Sequence, residues 1–137
     1  MSPEIQKFFE VFQEINASGD MDRMVSLYAD PFMSADNTGV RVVPLSDFRA
    51  ALPKRKQLFA TIGCTSTKLV SVEDTALDDR YVMAKTAWRW EFAKAEPIQV
   101  ASTFIIRKGE TPQIVFYLTG DVMSVLRSRG MLPSATP

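Results

Sequence analysis

The chain has 137 residues, carries 16 Lys+Arg against 16 Asp+Glu, and contains no histidine. The length suits one domain, and the charge balance excludes a global basic field that would draw nucleic acid. Without histidine there is no Ser-His-Asp or Cys-His catalysis and no His-ligated metal site. Proton transfer would fall to a carboxylate, Tyr, Lys, Cys or water.

The lone Cys64 excludes an intrachain disulfide and reads as a small core or strand-edge residue. No apolar run approaches the ~18 residues of a membrane span. The first residues, MSPEIQKFFEVFQ, carry acids and helical periodicity from the start and do not resemble a secretory signal, so a cytoplasmic protein is expected.

In chain order, Ile5, Phe8, Phe9, Phe12 and Ile15 fall at i, i+3, i+4, i+7 and i+10, one stripe of an amphipathic helix from Pro3 to Ala17. Ser2 can cap it, Pro3 suits its first turn, and Gly19 can end it. Asp20 caps a short second helix that turns Met21, Met24, Val25 and Tyr28 inward, with Pro31 as its stop. An extended piece follows at Phe32 to Asp36, then a turn at Asn37-Thr38-Gly39, then a strand through Val40, Val42 and Val43. Ser46 is expected to cap a third helix, kinked or broken at Pro53. The basic run Lys54-Arg55-Lys56 on it reads as a solvated face.

From Thr65 the pattern changes to alternation: strands at 67–74, 80–92, 97–107 and 112–120, joined by short connections and so antiparallel. Val82, Ala84, Thr86, Trp88, Trp90 and Phe92 share one face of the second of these, apolar enough to lie under the helices. Arg89 points the other way, toward Glu91 or a neighbouring strand. Tyr117 is ambiguous: if Ile114, Phe116 and Leu118 point inward, it points out. Residues 121–130 read as a terminal helix capped by Asp121, and 133–137 as a short flexible tail beyond a single domain at 1–132.

Helices first and a meander of long strands after give an α+β layout. This order resembles the NTF2-like (cystatin-like, or SnoaL-like) superfamily, which implies N-terminal helices packed in a strongly curved, mostly antiparallel sheet with a central pocket. The first 40 residues look most like the bacterial ketosteroid isomerase branch, which carries a segment of the form YADDATVEDPxG. Here the stretch reads YADPFMSADNTG, matching at Tyr28, Ala29, Asp30, Asp36 and Gly39, with Gly19-Asp20 matching upstream.

The resemblance places Asp36 on the isomerase's general base. It places Phe12 where that enzyme keeps an oxyanion-hole tyrosine, and Ser102 at the position of its protonated aspartic acid. A phenylalanine cannot donate a hydrogen bond, so steroid isomerase activity is not expected. Asp36 keeps two readings: a pocket carboxylate, or an acid that bonds backbone within the DNTG turn. Asp30 reads as structural.

The expected pocket residues are Phe12, Tyr28, Phe32, Trp88, Trp90 and Ser102. The expected function is binding of an unidentified apolar or flat small molecule. An isomerase, cyclase or dehydratase using Asp36, or a dimeric protein-interaction domain, are the alternatives. No metal, cofactor, nucleic-acid or membrane partner is expected; a homodimer through the outer sheet face is.

Overall fold

The structure, a computed structural model, describes residues 2–132. The tail expected at 133–137 lies outside them.

Helix α1, Pro3–Ser18, buries Ile5, Phe8, Phe9, Phe12 and Ile15 as one stripe. The Ser2 side chain accepts from the Ile5 amide at its start, and Gly19 closes it at φ 72°, a left-handed conformation that costs a residue with a Cβ but not glycine. Helix α2, Met21–Ser26, is capped by Asp20.

This second helix ends at Leu27, before Pro31 is reached. Tyr28 therefore does not sit on it, as the sequence suggested, but opens strand β1, Tyr28–Asp36, with Pro31 inside that strand after a cis peptide bond. Strand β2, Gly39–Val43, folds back on β1 through the turn at Asn37-Thr38.

Helix α3, Leu45–Ile62, differs from expectation twice. Its cap is Pro44, not Ser46, and no side chain within the cap bonds it; Asp30 Oδ1 accepts from the Leu45 amide at 3.1 Å instead. Pro53 does not break it. Pro53 is exposed, so the carbonyl that its missing N–H leaves free can turn to water.

Strands β3 (Cys64–Ala76), β4 (Tyr81–Phe92), β5 (Ile98–Arg107) and β6 (Gln113–Thr119) form the antiparallel meander. Helix α4, Val122–Ser128, follows with Asp121 accepting from the Ser124 amide. The sheet order is β2-β1-β6-β5-β4-β3, a curved and unclosed sheet in which only β1 and β6 run parallel. This is the expected α+β architecture.

The core lies between α1 and the concave face. Phe9 and Phe104 meet edge to face at 5.7 Å between ring centroids, and Phe12 meets Phe104 at 5.8 Å. The α1 helix is also tied down by polar contacts: Gln13 Oε1 accepts from the Leu69 amide, and Asn16 Nδ2 donates to Thr67 Oγ1. Among the described residues, no helix is long and apolar enough to cross a membrane.

Candidate ligand-binding site

The helices do not fill the curve of the sheet. A cavity of about 410 Å³ remains between α1, α3 and the curved sheet, with residues of all six strands in its lining, within the size range of small-molecule sites. Its walls are aromatic. Phe12 packs on Trp88 at 5.5 Å, while Tyr28 packs on Phe32 at 4.7 Å and on Phe48 at 4.5 Å. Trp90 completes one side, with Phe59 against it at 5.0 Å.

Alternation explains the tryptophans. Val82, Ala84, Thr86, Trp88 and Trp90 are all buried on one face of β4, while Lys85 and Arg89 are exposed on the other. Glu91 accepts from Ser66 Oγ and forms ion pairs with Lys68 at 3.0 Å and Arg89 at 3.7 Å. The Trp88 ring is also fixed by hydrogen bonds. Its Nε1 donates to Thr86 Oγ1 at 2.8 Å, and that hydroxyl donates to the Ser102 carbonyl at 2.8 Å. The Trp88 N–H and the Thr86 hydroxyl, both buried, thus each have an acceptor.

Phe12, Tyr28, Phe32, Trp88, Trp90 and Ser102 all line this one cavity. Tyr117 joins them, which settles its ambiguity. Ile114 is buried on the concave side, and register shifts at Ile105/Ile106 and between Tyr28 and Met33 change the parity along β6. Tyr117 then faces inward onto Phe104 and Leu118 is exposed. A β-bulge adds one residue and so turns the following side chains to the opposite face.

Tyr28 is 5 % exposed, and its pKa is pushed well above the ordinary tyrosine range, first by burial and then by the neighbouring Tyr117, with Arg55 opposing. It is a neutral hydroxyl donor at any physiological pH.

Asp36 is placed differently. By alternation it shares a strand face with Phe32 and Ser34, which line the cavity, but it is the last residue of β1 and does not line it. Its Oδ1 accepts from the Thr38 amide at 2.8 Å and from the Thr38 hydroxyl, and its Oδ2 pairs with Arg41 at 3.7 Å. Those Thr38 hydrogen bonds, helped by Arg41, hold its pKa below the ordinary carboxylate value. It stands in the turn geometry foreseen as the second of its two readings. Asn37 Nδ2 donates to Asp121 Oδ2 at 3.0 Å, so the turn is also tied to the start of α4.

A family profile described as NTF2-like protein (DUF6841) matches residues 2–131. The chain belongs to that family. Among curated proteins none matches it. Solved structures similar to this NTF2-like chain include an NTF2-like protein of unknown function from Shewanella oneidensis MR-1, 19 % identical, with a TM-score of 0.70 over 86 % of this chain and 97 % of that one. An NTF2-like protein with a cystatin-like fold from Novosphingobium aromaticivorans is 14 % identical, with a TM-score of 0.68 over 96 % and 88 %. An NTF2-like protein of unknown function from Pseudomonas putida KT2440 is 17 % identical, with a TM-score of 0.69 over 85 % and 83 %. At these identities the likeness concerns the fold.

Several lining residues of the NTF2-like cavity were not foreseen: Asn16, Ser34, Arg41, Asp47, Phe48, Ala51, Arg55, Val100 and Phe104. Some had a signal. Asn16 follows Phe12 by four residues, and Val100 and Phe104 flank Ser102 on its own strand face. Asp47, Ala51 and Arg55 are spaced by four along α3, so Arg55 belongs to a stripe that borders the cavity and not only to a solvated basic run.

Proposed function

We propose that this protein binds a flat, largely apolar small molecule in the cavity of its curved sheet. The observation that carries this reading is the cavity itself. About 410 Å³ is left open among packed rings, and eight of the nineteen residues around it are aromatic, with polar side chains such as Asn16, Asp47 and Arg55 interspersed.

The experiment uses neutral flat compounds, indole and 2-naphthol, followed by thermal unfolding and by the fluorescence of Trp88 and Trp90, the chain's two tryptophans. Binding should raise the melting temperature and quench the emission. Ala51→Trp, at the cavity mouth, should abolish both effects while the variant stays folded. Equal responses from wild type and Ala51→Trp would sink the reading.

The enzymatic alternative, an isomerase, cyclase or dehydratase of the ketosteroid isomerase or SnoaL-like kind with Asp36 as base, has weaker support. The Asp36 carboxylate is engaged by Thr38 and Arg41 outside the cavity lining. A base must lie within hydrogen-bond reach of the proton it removes.

A homodimer through the outer sheet face has its own support. Cross-strand pairing aligns Val42, Met33, Phe116, Ile105 and Met83 in one row along the convex face, with Val42, on the edge strand, also bordering the cavity. Met33 and Val42 are 42 % and 62 % exposed. An apolar row running across five strands suits a second copy of the same face.

A further inference from the structure

Arg55 is the one cavity-lining cation that forms no ion pair among the described residues; the other, Arg41, is paired with Asp36. Its guanidinium carbon lies 4.9 Å from the centroid of Phe59, whose ring meets Trp90 of the cavity wall. That contact with the ring face satisfies none of the guanidinium N–H groups, which are the groups that fork onto a carboxylate. The nearest acid on the same stripe, Asp47, is two turns away, about 12 Å along the helix at 1.5 Å per residue, too far to neutralise it.

A second polar group lies in the same cavity. The Tyr28 hydroxyl makes no hydrogen bond among the described residues, yet none of their fully enclosed side-chain oxygens lacks a partner. The hydroxyl therefore opens onto the cavity. Tyr117 lines the same space and is close enough to act electrostatically on Tyr28, as is Arg55. Two phenolic donors thus converge inside the cavity, and a free cation stands at its edge.

Building on the binding function above, we propose that the ligand is a flat carboxylic acid whose carboxylate pairs with Arg55, while an oxygen elsewhere on it accepts from Tyr28 and Tyr117. Aromatic walls take the planar body. A phosphate ester suits the site less well, because a single free arginine faces it and Asp47 borders the same cavity.

The probes are 6-hydroxy-2-naphthoic acid, its methyl ester and 2-naphthol, titrated calorimetrically into the full chain. The acid should bind at least about tenfold more tightly than the ester, the ratio expected of a charge-assisted hydrogen-bonded pair. Arg55→Gln should lower the acid to the affinity of the ester and leave the ester unchanged. Arg55 is exposed, so this variant should keep the wild-type melting temperature. Tyr117→Phe should weaken all three probes; Tyr28→Phe should do the same where it folds.

Equal binding of acid and ester, or an acid affinity unmoved by Arg55→Gln, would overturn the carboxylate assignment while leaving cavity binding intact. Unchanged affinities in Tyr117→Phe would overturn the donor assignment. Failure of all three probes to bind would overturn this proposal and the binding function together.

Discussion

The ring of Tyr117 lies against that of Phe104, with centroids 4.9 Å apart and planes 31° from parallel. Phe104 is 2 % exposed and also meets Phe9 and Phe12, so it links the packed core of α1 to the cavity wall. Phe104→Ala should destabilise the fold by about 3–5 kcal/mol, as truncation of a buried ring usually does. Urea unfolding of the variant checks this; a loss below about 1 kcal/mol would show that the ring stack contributes little.

The buried hydroxyl of Thr86 connects two wall residues. It accepts from Trp88 Nε1 and donates to the Ser102 carbonyl. Thr86→Val keeps the shape and removes the hydroxyl, leaving the indole N–H enclosed without an acceptor. The expected loss is about 1–3 kcal/mol, with a change in tryptophan emission, and Thr86→Ser should recover most of it. If Val and Ser behave alike in denaturant unfolding, the hydroxyl is not what holds the indole.

Asp30 reaches across 15 residues to accept from the first amide of α3. The cap residue Pro44 has no side-chain acceptor, so this carboxylate takes the place of one. Asp30→Ala should cost about 1 kcal/mol, the usual effect of a lost helix cap. Hydrogen exchange should quicken first in the opening turn of α3. Uniform exchange across the helix would contradict a local capping role.

The helices and the strand meander were legible because their signals are local. Periodicity fixes the stripe from Ile5 to Ile15, and alternation fixes the inward face of β4 with both tryptophans. The misread or undecided positions depend on partners distant in sequence. The start of β1 at Tyr28 is set by pairing with Ile114, and the inward turn of Tyr117 by a bulge in β5–β6 pairing. The capping of α3 by Asp30 links two elements across a strand hairpin. Arg55 was hidden in a run of three basic residues, two of which do not line the cavity. The Asp36 motif points to a position, but the orientation of its carboxylate was decided by Thr38 two residues on.

Acid should weaken the fold through carboxylates at its turns and edge. Thr38 holds Asp36 below its ordinary value of 3.8, backbone amides of Arg80 and Tyr81 do the same for Asp78, and Ser66 with Lys68 holds Glu91 below 4.5. A carboxylate with a depressed folded-state pKa favours the folded state above its unfolded value, and that contribution disappears as pH falls through the lower folded value. Stability should therefore be level near neutrality and fall below pH 4.5, most steeply below 3.8. Asp36→Asn should flatten part of this acid limb and leave the affinity for 2-naphthol unchanged. A large loss of ligand affinity in Asp36→Asn would return the residue to the site.

The row of Val42, Met33, Phe116, Ile105 and Met83 gives the outer face a test of its own. Ile105 stands in it between Phe116 and Met83, while the flanking residues of the same face, Lys85 and Thr103, are polar and paired in the adjacent register. A two-fold contact places each row against its own copy, so one substitution acts twice in the interface. Ile105→Glu sets two like charges in an apolar contact and should convert a dimer to a folded monomer. Sedimentation velocity reads the mass, and circular dichroism checks that the sheet survives. A wild-type chain that sediments as a monomer at high micromolar concentration would rule out this dimer. A variant that remains dimeric would move the interface away from the row.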